Sequence, residues 1–222
     1  MEFSIMEFEH LFSPIKIGNV TIKNRFVMSP LGTRYPNKDH TVSSRMIHHY
    51  ANRSMGGFGL IVLEFTAVTA GGRSQANQLG IWNDDFIDGH HQLVEAVHKG
   101  GAKIFLQLTH GGRQVKGGFD GAADQFAPSA IQCPSCGILP RAMATDEILR
   151  LIDDFCAAAL RAKKAGYDGV EIHGANGYLI SEFLSAATNK RTDEFGGSLA
   201  NRTKILTDII HKVHETCGAD YP

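Results

Sequence analysis

Residues 170–201 read VEIHGANGYLISEFLSAATNKRTDEFGGSLAN, and this stretch decides the fold. A short apolar run ends at His173, small and hydrogen-bonding residues follow it, and a long polar loop comes next. An apolar run bounded by such residues is typical of a buried strand. In a parallel α/β barrel, residues at the carboxyl end of a strand are where ligands bind. We therefore predict an active-site edge that contains His173, Asn176 and Tyr178.

The composition indicates a globular protein that acts on small molecules. The 222 residues are 43% hydrophobic and 20% charged, which predicts one sizeable domain over residues 1–222. The formal net charge of -1 argues against a nucleic-acid partner. No apolar run approaches the roughly 20 residues that span a bilayer, and the first ten residues are acidic where a signal peptide is basic. We expect a cytoplasmic protein with neither a membrane nor a nucleic-acid partner.

The cysteines are too few and too scattered for a disulfide framework, so we expect reduced thiols at Cys133, Cys136, Cys156 and Cys217. Cys133 and Cys136 have C-x-x-C spacing, but no further thiolates or histidines follow at a suitable interval. A metal site there is therefore the lesser expectation.

Apolar runs alternate with helical patterns along the chain. Strands are predicted at residues 26–31, 59–65, 102–109 and 169–173, and helices at residues 42–55, 88–99, 145–165 and 199–216. The helix at Thr145 should begin with that hydroxyl as its cap. Continuous apolar strands imply burial on both faces, so the sheet should be parallel. Both an α/β barrel and an open doubly wound sheet fit this pattern.

Two further features frame these units. Residues 14–22 alternate around Gly18-Asn19, which predicts an N-terminal β-hairpin that could cover the bottom of a barrel. The connections at residues 110–144 and 174–198 are far longer than the usual two to six residues. Because both follow strand ends, we expect them to border the site, and the first to be either a lid or a surface excursion.

Four segments resemble the old yellow enzyme family of flavin-dependent ene-reductases, especially its bacterial NADH:flavin oxidoreductases and 2,4-dienoyl-CoA reductases. They are MSPLGT at 28–33, QLTHGGR at 107–113, HGANGYLISEFL at 173–184 and TNKRTDEFGGSLANR at 188–202. The resemblance implies a TIM (β/α)8-barrel type of α/β fold, of which this chain holds the first four βα units. It also implies FMN as cofactor, NAD(P)H as hydride donor and an activated C=C bond as substrate.

The resemblance assigns roles to individual residues. Tyr178 would protonate the α-carbon of the alkene, while His173 and Asn176 would bind the carbonyl that activates it. The cofactor-binding set that it implies is Pro30, Leu31, Gly32, Thr33, Phe65, Gln107 and His173. Phe65 stands where relatives often have a small residue. The loop that contains Arg191 and Asp193 should be structural, through an ion pair and glycine turns.

A complete barrel needs eight strands and about 250 residues. We expect this chain to be the first half of a longer enzyme, since it holds only four βα units. The iron–sulfur cluster and FAD module of longer relatives are likewise not encoded here. The alternatives are association with a second copy or another half through exposed edges, and a sheet that opens differently. A catalytically incomplete scaffold is the competing function. A metal-dependent hydrolase built on His110 and His173 is disfavoured, because carboxylate ligands are lacking.

Overall fold

The computed structural model describes residues 8–115 and 125–222. Its strands are β1 (Ile15–Ile17), β2 (Val20–Ile22), β3 (Val27–Met28), β4 (Leu60–Ala67), β5 (Lys103–Thr109), β6 (Phe126–Ala127), β7 (Arg141–Ala142) and β8 (Gly169–Ile172). Its helices are α1 (Glu9–Phe12), α2 (Ser44–Met55), α3 (Ile87–Lys99), α4 (Thr145–Lys164), α5 (Leu179–Leu184) and α6 (Leu199–Cys217). None of the helices in these two ranges is long and apolar enough to cross a membrane.

A parallel sheet in the order β3-β4-β5-β8 forms the centre of the molecule. Side chains on one face of its strands, such as Ile61, Leu63 and Ile104, are fully buried against the helices. The four predicted strands and four predicted helices are all present, with ends displaced by a few residues. The parallel α/β class predicted from the continuous apolar strands is therefore confirmed.

The first strand is shorter than predicted, because only Val27 and Met28 pair with β4. The prediction extended it to residue 31. Pro30 has no N–H to donate to a ladder, and the N–H of Thr33 donates instead to the Glu64 side chain. The chain therefore leaves the sheet after Met28.

The predicted hairpin is formed by β1 and β2, which pair antiparallel from Ile15–Ile22 to Ile17–Val20. Ile22 is 1% exposed and packs with Leu60, Val62 and Phe105. Leu60 begins β4, and Phe105 lies early in β5. The hairpin thus covers the amino-terminal end of the sheet and leaves the carboxyl end for a site.

The start of α4 differs from the prediction of a Thr145 hydroxyl cap. Ala144 precedes the helix, and the Glu147 carboxylate accepts a hydrogen bond from the Ala144 N–H at 2.8 Å. The Thr145 hydroxyl instead donates to Asp193 at 3.2 Å. The predicted cap is therefore wrong. The Glu147 carboxylate binds the Ala144 N–H at the start of the helix, and Asp193 in a distant loop binds the Thr145 hydroxyl.

The two long connections contain more regular structure than the sequence indicated. The first holds a 3₁₀ turn (Gly112–Gln114) and the short paired strands β6 and β7, while residues 116–124 lie outside the described part. The second contains α5. Both connections leave the carboxyl end of the sheet, so they surround the predicted site.

Candidate active site

The candidate site lies at the carboxyl end of the sheet. Gln107 in β5 pairs in register with Glu171 in β8, and Leu108 pairs with Ile172. His173 follows directly, and its N–H donates to the Leu108 carbonyl at 2.9 Å. Parallel pairing therefore brings the predicted Gln107 and His173 to one edge.

Three rings form a cluster at this edge. The His173 and Tyr178 ring centroids are 5.1 Å apart with an edge-on geometry. Phe65 stacks on Tyr178 at 6.0 Å and lies 6.4 Å from His173. Tyr178 immediately precedes α5, and its hydroxyl has no hydrogen-bond partner within the described ranges. The phenol is thus positioned by packing and keeps its polar atom for a ligand.

His173 is 7% exposed, and its ring nitrogens have no hydrogen-bond partner among residues 8–115 and 125–222. Burial lowers the pKa of His173 below the ordinary 6.5. The ring is therefore neutral at pH 7 and offers one N–H donor and one acceptor. A buried imidazole without a protein partner is well suited to a polar ligand.

Asn176 has a left-handed backbone with φ of 58°, which asparagine tolerates better than most residues. The Gln114 side-chain amide donates to the Asn176 and Gly177 carbonyls, both at 2.8 Å. Asn176 is exposed, and its own side-chain amide makes no hydrogen bond within the described part of the chain. The loop is thus held by its backbone, and the amide remains available.

Gln107 is 6% exposed and donates from Nε2 to Glu171 Oε1 at 2.6 Å. No donor of the described residues reaches the Gln107 carbonyl oxygen. Sequence reasoning missed Glu171, although a period of two places it on the same face as His173. The carboxylate orients the Gln107 amide, so that its oxygen and second N–H can bind a ring edge with alternating donors and acceptors.

The segment after β3 is held by a carboxylate that the sequence analysis also missed. Glu64 is 4% exposed and accepts from the Thr33 N–H at 2.6 Å and from the Thr33 hydroxyl at 2.7 Å. Burial raises the pKa of Glu64, while the bonds from Thr33 oppose that rise. Both Thr33 donors are therefore engaged by the protein. The sequence signal for Glu64 was a charged residue inside the apolar strand predicted at 59–65.

Gly32 lies directly against Phe65. A Cβ at residue 32 would be 2.7 Å from the nearest Phe65 ring carbon, closer than real contacts allow. Leu31 beside it is 71% exposed, and Pro30 is half-buried. Glycine at position 32 is thus the residue that lets the large Phe65 ring occupy this edge.

Glu182 in α5 is a second buried carboxylate that the sequence analysis did not predict. The residue is 1% exposed, and its Oε1 accepts from the Arg113 N–H at 3.1 Å, while its Oε2 has no hydrogen-bond partner among the described residues. The Arg113 Nε lies 3.9 Å from Glu182 Oε1 and has no hydrogen bond within residues 8–115 and 125–222. Burial raises the pKa of Glu182 to about 8, and Arg113 offsets this only in part. The side chain is therefore mainly a neutral acid at pH 7.

This raised pKa predicts a pH-dependent stability. Folded Glu182 binds its proton more tightly than the unfolded side chain does, so the free energy of unfolding should fall as pH rises from 4.5 to about 8. The expected loss is about 5 kcal/mol at ~1.4 kcal/mol per pH unit. Urea unfolding of Glu182→Gln at pH 5, 7 and 9 should lack this loss.

The matched control is Glu147→Gln. Hydrogen bonds from Arg141 and Ala144 lower the pKa of Glu147 to about 2, so its contribution disappears on the acid side, as pH falls from 4.5 toward 2. An alkaline loss of stability that persists in Glu182→Gln would contradict the assignment.

The loop after α5 is built around two side chains. The Asn189 amide donates to the Phe183 and Phe195 carbonyls at 2.8 and 2.7 Å. Arg191 bonds the Asp193 carboxylate and reaches the Met143 carbonyl at 2.5 Å. Gly197 has φ of 80°. The structural role predicted for this loop, with an ion pair and glycine turns, is confirmed.

His110 is 2% exposed and stacks on Phe126 with 4.8 Å between ring centroids. Its Nδ1 accepts from the Gly112 N–H at 3.1 Å, and burial lowers its pKa to about 3. Within residues 8–115 and 125–222, no group of three or more His, Cys, Asp or Glu side chains could hold a metal ion. The His110 ring contacts the 3₁₀ turn through the Gly112 N–H and packs on Phe126.

These features define the class: a parallel α/β protein with aromatic rings and polar side chains gathered at the carboxyl end of its sheet. The family model of the NADH:flavin oxidoreductase / NADH oxidase family matches residues 10–221, and the chain belongs to that family. Members of this family bind FMN. The resemblance found in the motifs is thus confirmed.

Two curated relatives and one solved structure illustrate the similarity. The chain is 44% identical to an NADH oxidase of Thermoanaerobacter brockii, over 97% of this chain and 33% of that protein. It is 49% identical to an NADPH dehydrogenase of Halalkalibacterium halodurans, over 92% and 60%. It superposes with a TM-score of 0.89 on the old yellow enzyme homologue of Zymomonas mobilis, at 40% identity over 95% and 61%. The chain therefore spans a third to three fifths of the length of these proteins.

Proposed function

We propose that this chain is the flavin-binding and substrate-binding part of an FMN-dependent oxidoreductase that passes hydride from NAD(P)H to an activated C=C bond. The observation that carries the proposal is a group of polar side chains at one sheet edge that keep hydrogen-bonding atoms without a partner among the described residues. They are those of Gln107, His173, Asn176 and Tyr178. The names NADH oxidase and NADPH dehydrogenase of two relatives support the nicotinamide donor.

The donor set at this edge fits an isoalloxazine ring. Gln107 keeps an amide oxygen and one N–H beyond its bond to Glu171, and His173 is neutral and unpartnered. We propose that Pro30, Leu31, Gly32, Phe65, Gln107 and His173 hold the ring. Both donors of Thr33 bond Glu64, so Thr33 would not bond the flavin directly. It would contribute by fixing the backbone of residues 30–33 beside the ring. When bound, FMN supplies the hydride chemistry that amino acid side chains lack.

Three residues would act on the substrate, and His173 among them would also contact the flavin. His173 and Asn176 would donate hydrogen bonds to the carbonyl of an enone or enoyl thioester, which stabilises the negative charge that develops on its oxygen. The Tyr178 hydroxyl would deliver a proton to the α-carbon, and Phe65 behind it excludes water from that side. Tyr178 is suited to this role because no protein acceptor within the described ranges holds its proton.

We further propose that residues 1–222 form one domain comprising the first four βα units of a TIM barrel. The Val170 N–H donates to the Pro222 carbonyl at 2.9 Å, so the chain after α6 already lies beside β8 where a fifth strand would pair. At the other edge, Phe26 and Val27 are 39% and 47% exposed. The working protein would cover these edges with further chain or with another copy, and sedimentation of the purified chain distinguishes the two.

The proposed reaction is tested by anaerobic stopped flow. The chain is loaded with FMN, reduced with one equivalent of dithionite and mixed with 2-cyclohexenone. We expect the absorbance of oxidised flavin to return at a rate that saturates as the enone concentration increases. Cyclohexanone should form in an amount equal to the flavin that is reoxidised. Reduced flavin that binds the protein but is not reoxidised by the enone would contradict the proposed function.

A further inference from the structure

A tight turn brings Cys133 and Cys136 together in the connection between β6 and β7. The Cys133 N–H donates to the Ile138 carbonyl at 2.7 Å, and the Gly137 N–H donates to the Cys133 carbonyl at 2.8 Å. Gly137 has φ of 72°, which closes the turn. Residues three apart in a turn have Cα atoms within about 7 Å. That separation overlaps the roughly 4.4–6.8 Å that a disulfide spans.

The two sulfurs differ in exposure and in acidity. Cys133 is 2% exposed, whereas Cys136 is partly exposed. Burial opposes ionisation of Cys133, but hydrogen bonds from Ser135 and Cys136 lower its pKa to about 7. Burial and the bond to Cys133 raise the pKa of Cys136. At neutral pH the pair therefore combines a buried, partly ionised thiol with an accessible thiol that is mainly protonated.

The turn is connected to the candidate site. The Cys136 thiol donates to the Arg113 carbonyl at 3.3 Å, and Arg113 belongs to the 3₁₀ turn Gly112–Gln114. Gln114 in the same turn holds the carbonyls of Asn176 and Gly177. The backbone of the 3₁₀ turn and the Gln114 side chain thus connect the dithiol to the loop that contains Asn176.

We propose that Cys133 and Cys136 are a redox site that forms a reversible disulfide with a small organic disulfide as oxidant, and that oxidation loosens the 3₁₀ turn. The accessible Cys136 attacks the small disulfide through the minor fraction of its thiol that is ionised, and it expels one thiolate. The Cys133 thiolate then attacks the Cys136 sulfur and expels the second. The small disulfide gains two electrons, and its two thiolates take the two protons that the cysteines lose. Oxidised Cys136 has no S–H to donate to Arg113.

Peptide mass spectrometry after alkylation tests the first part. The full chain is equilibrated with oxidised and reduced glutathione at increasing ratios. We expect the peptide that contains Cys133 and Cys136 to lose two hydrogens reversibly, while Cys156 and Cys217, both buried, remain alkylable after unfolding. No such disulfide at any ratio, in protein shown to be folded by circular dichroism, would overturn the proposal.

Two variants separate the roles of the sulfurs. Cys133→Ser should accumulate a stable glutathione adduct on Cys136, because the attacking thiolate is gone. Cys136→Ser should leave Cys133 unmodified, since that sulfur is buried. An adduct on Cys133 in Cys136→Ser would overturn the order of the two steps.

Hydrogen exchange tests the second part and needs no flavin or substrate. Residues 112–114 and 174–178 should exchange several-fold faster in the oxidised chain than in the reduced one, and exchange in α6 should not change. Equal exchange in both forms would overturn the link between the dithiol and the 3₁₀ turn.

Discussion

Replacing Tyr178 with phenylalanine is expected to lower the rate at which enone reoxidises the reduced flavin by about 10²-fold, the lower end of what a positioned proton donor contributes. The ring packs against His173 and Phe65, and phenylalanine keeps those contacts. Only the hydroxyl is removed. The measurement is the anaerobic stopped-flow rate with 2-cyclohexenone at saturating concentration.

Flavin reduction by NADPH in Tyr178→Phe is the internal control, because hydride transfer to the flavin needs no proton from this residue. Tyr221→Phe is a matched control, since its hydroxyl bonds the Tyr167 carbonyl away from the site. If enone reduction is unchanged in Tyr178→Phe while flavin reduction is also unchanged, the assignment of the proton donor is wrong.

Replacing Asn176 with glycine is expected to lower the same rate by about 10²-fold, because one donor to the developing oxyanion is lost. Glycine is the informative substitution at this position. The backbone is left-handed with φ of 58°, and alanine would add strain that glycine avoids. The Gln114 bonds to the Asn176 and Gly177 carbonyls also remain possible.

The control for Asn176→Gly is the free energy of unfolding, which should stay within about 0.5 kcal/mol of the original chain. A second control is the flavin affinity, which should not change. A variant that keeps its stability and its full rate of enone reduction would contradict the proposed role of the amide.

Most of the fold was predictable because parallel strands buried on both faces give continuous apolar runs. The run 59–65 became Leu60–Ala67, and the pattern 199–216 became Leu199–Cys217. In each case burial against neighbouring helices agrees with the local pattern. The local pattern does not predict a contact with a residue that is distant in sequence. The Thr145 hydroxyl, for example, bonds Asp193, which lies 48 residues away.

Only part of the candidate site was predictable from the sequence. Motif similarity identified His173, Tyr178 and Gln107, and the structure brings these to one edge of the sheet. Glu64, Glu171 and Glu182 were missed, because each acts through a contact that joins segments distant in sequence. Glu64 bonds Thr33 31 residues away, and Glu171 bonds Gln107 64 residues away.

A flavin titration tests the central claim most directly. FMN fluorescence and visible absorbance are followed as the purified chain is added, with Gln107→Leu as the test variant and Lys212→Ala, which removes a surface ion pair, as the control. We predict saturable binding with a shifted spectrum, unchanged in Lys212→Ala and at least about tenfold weaker in Gln107→Leu, the effect of one lost hydrogen bond in a buried site. An original chain that unfolds cooperatively yet leaves the flavin spectrum unchanged would contradict the account.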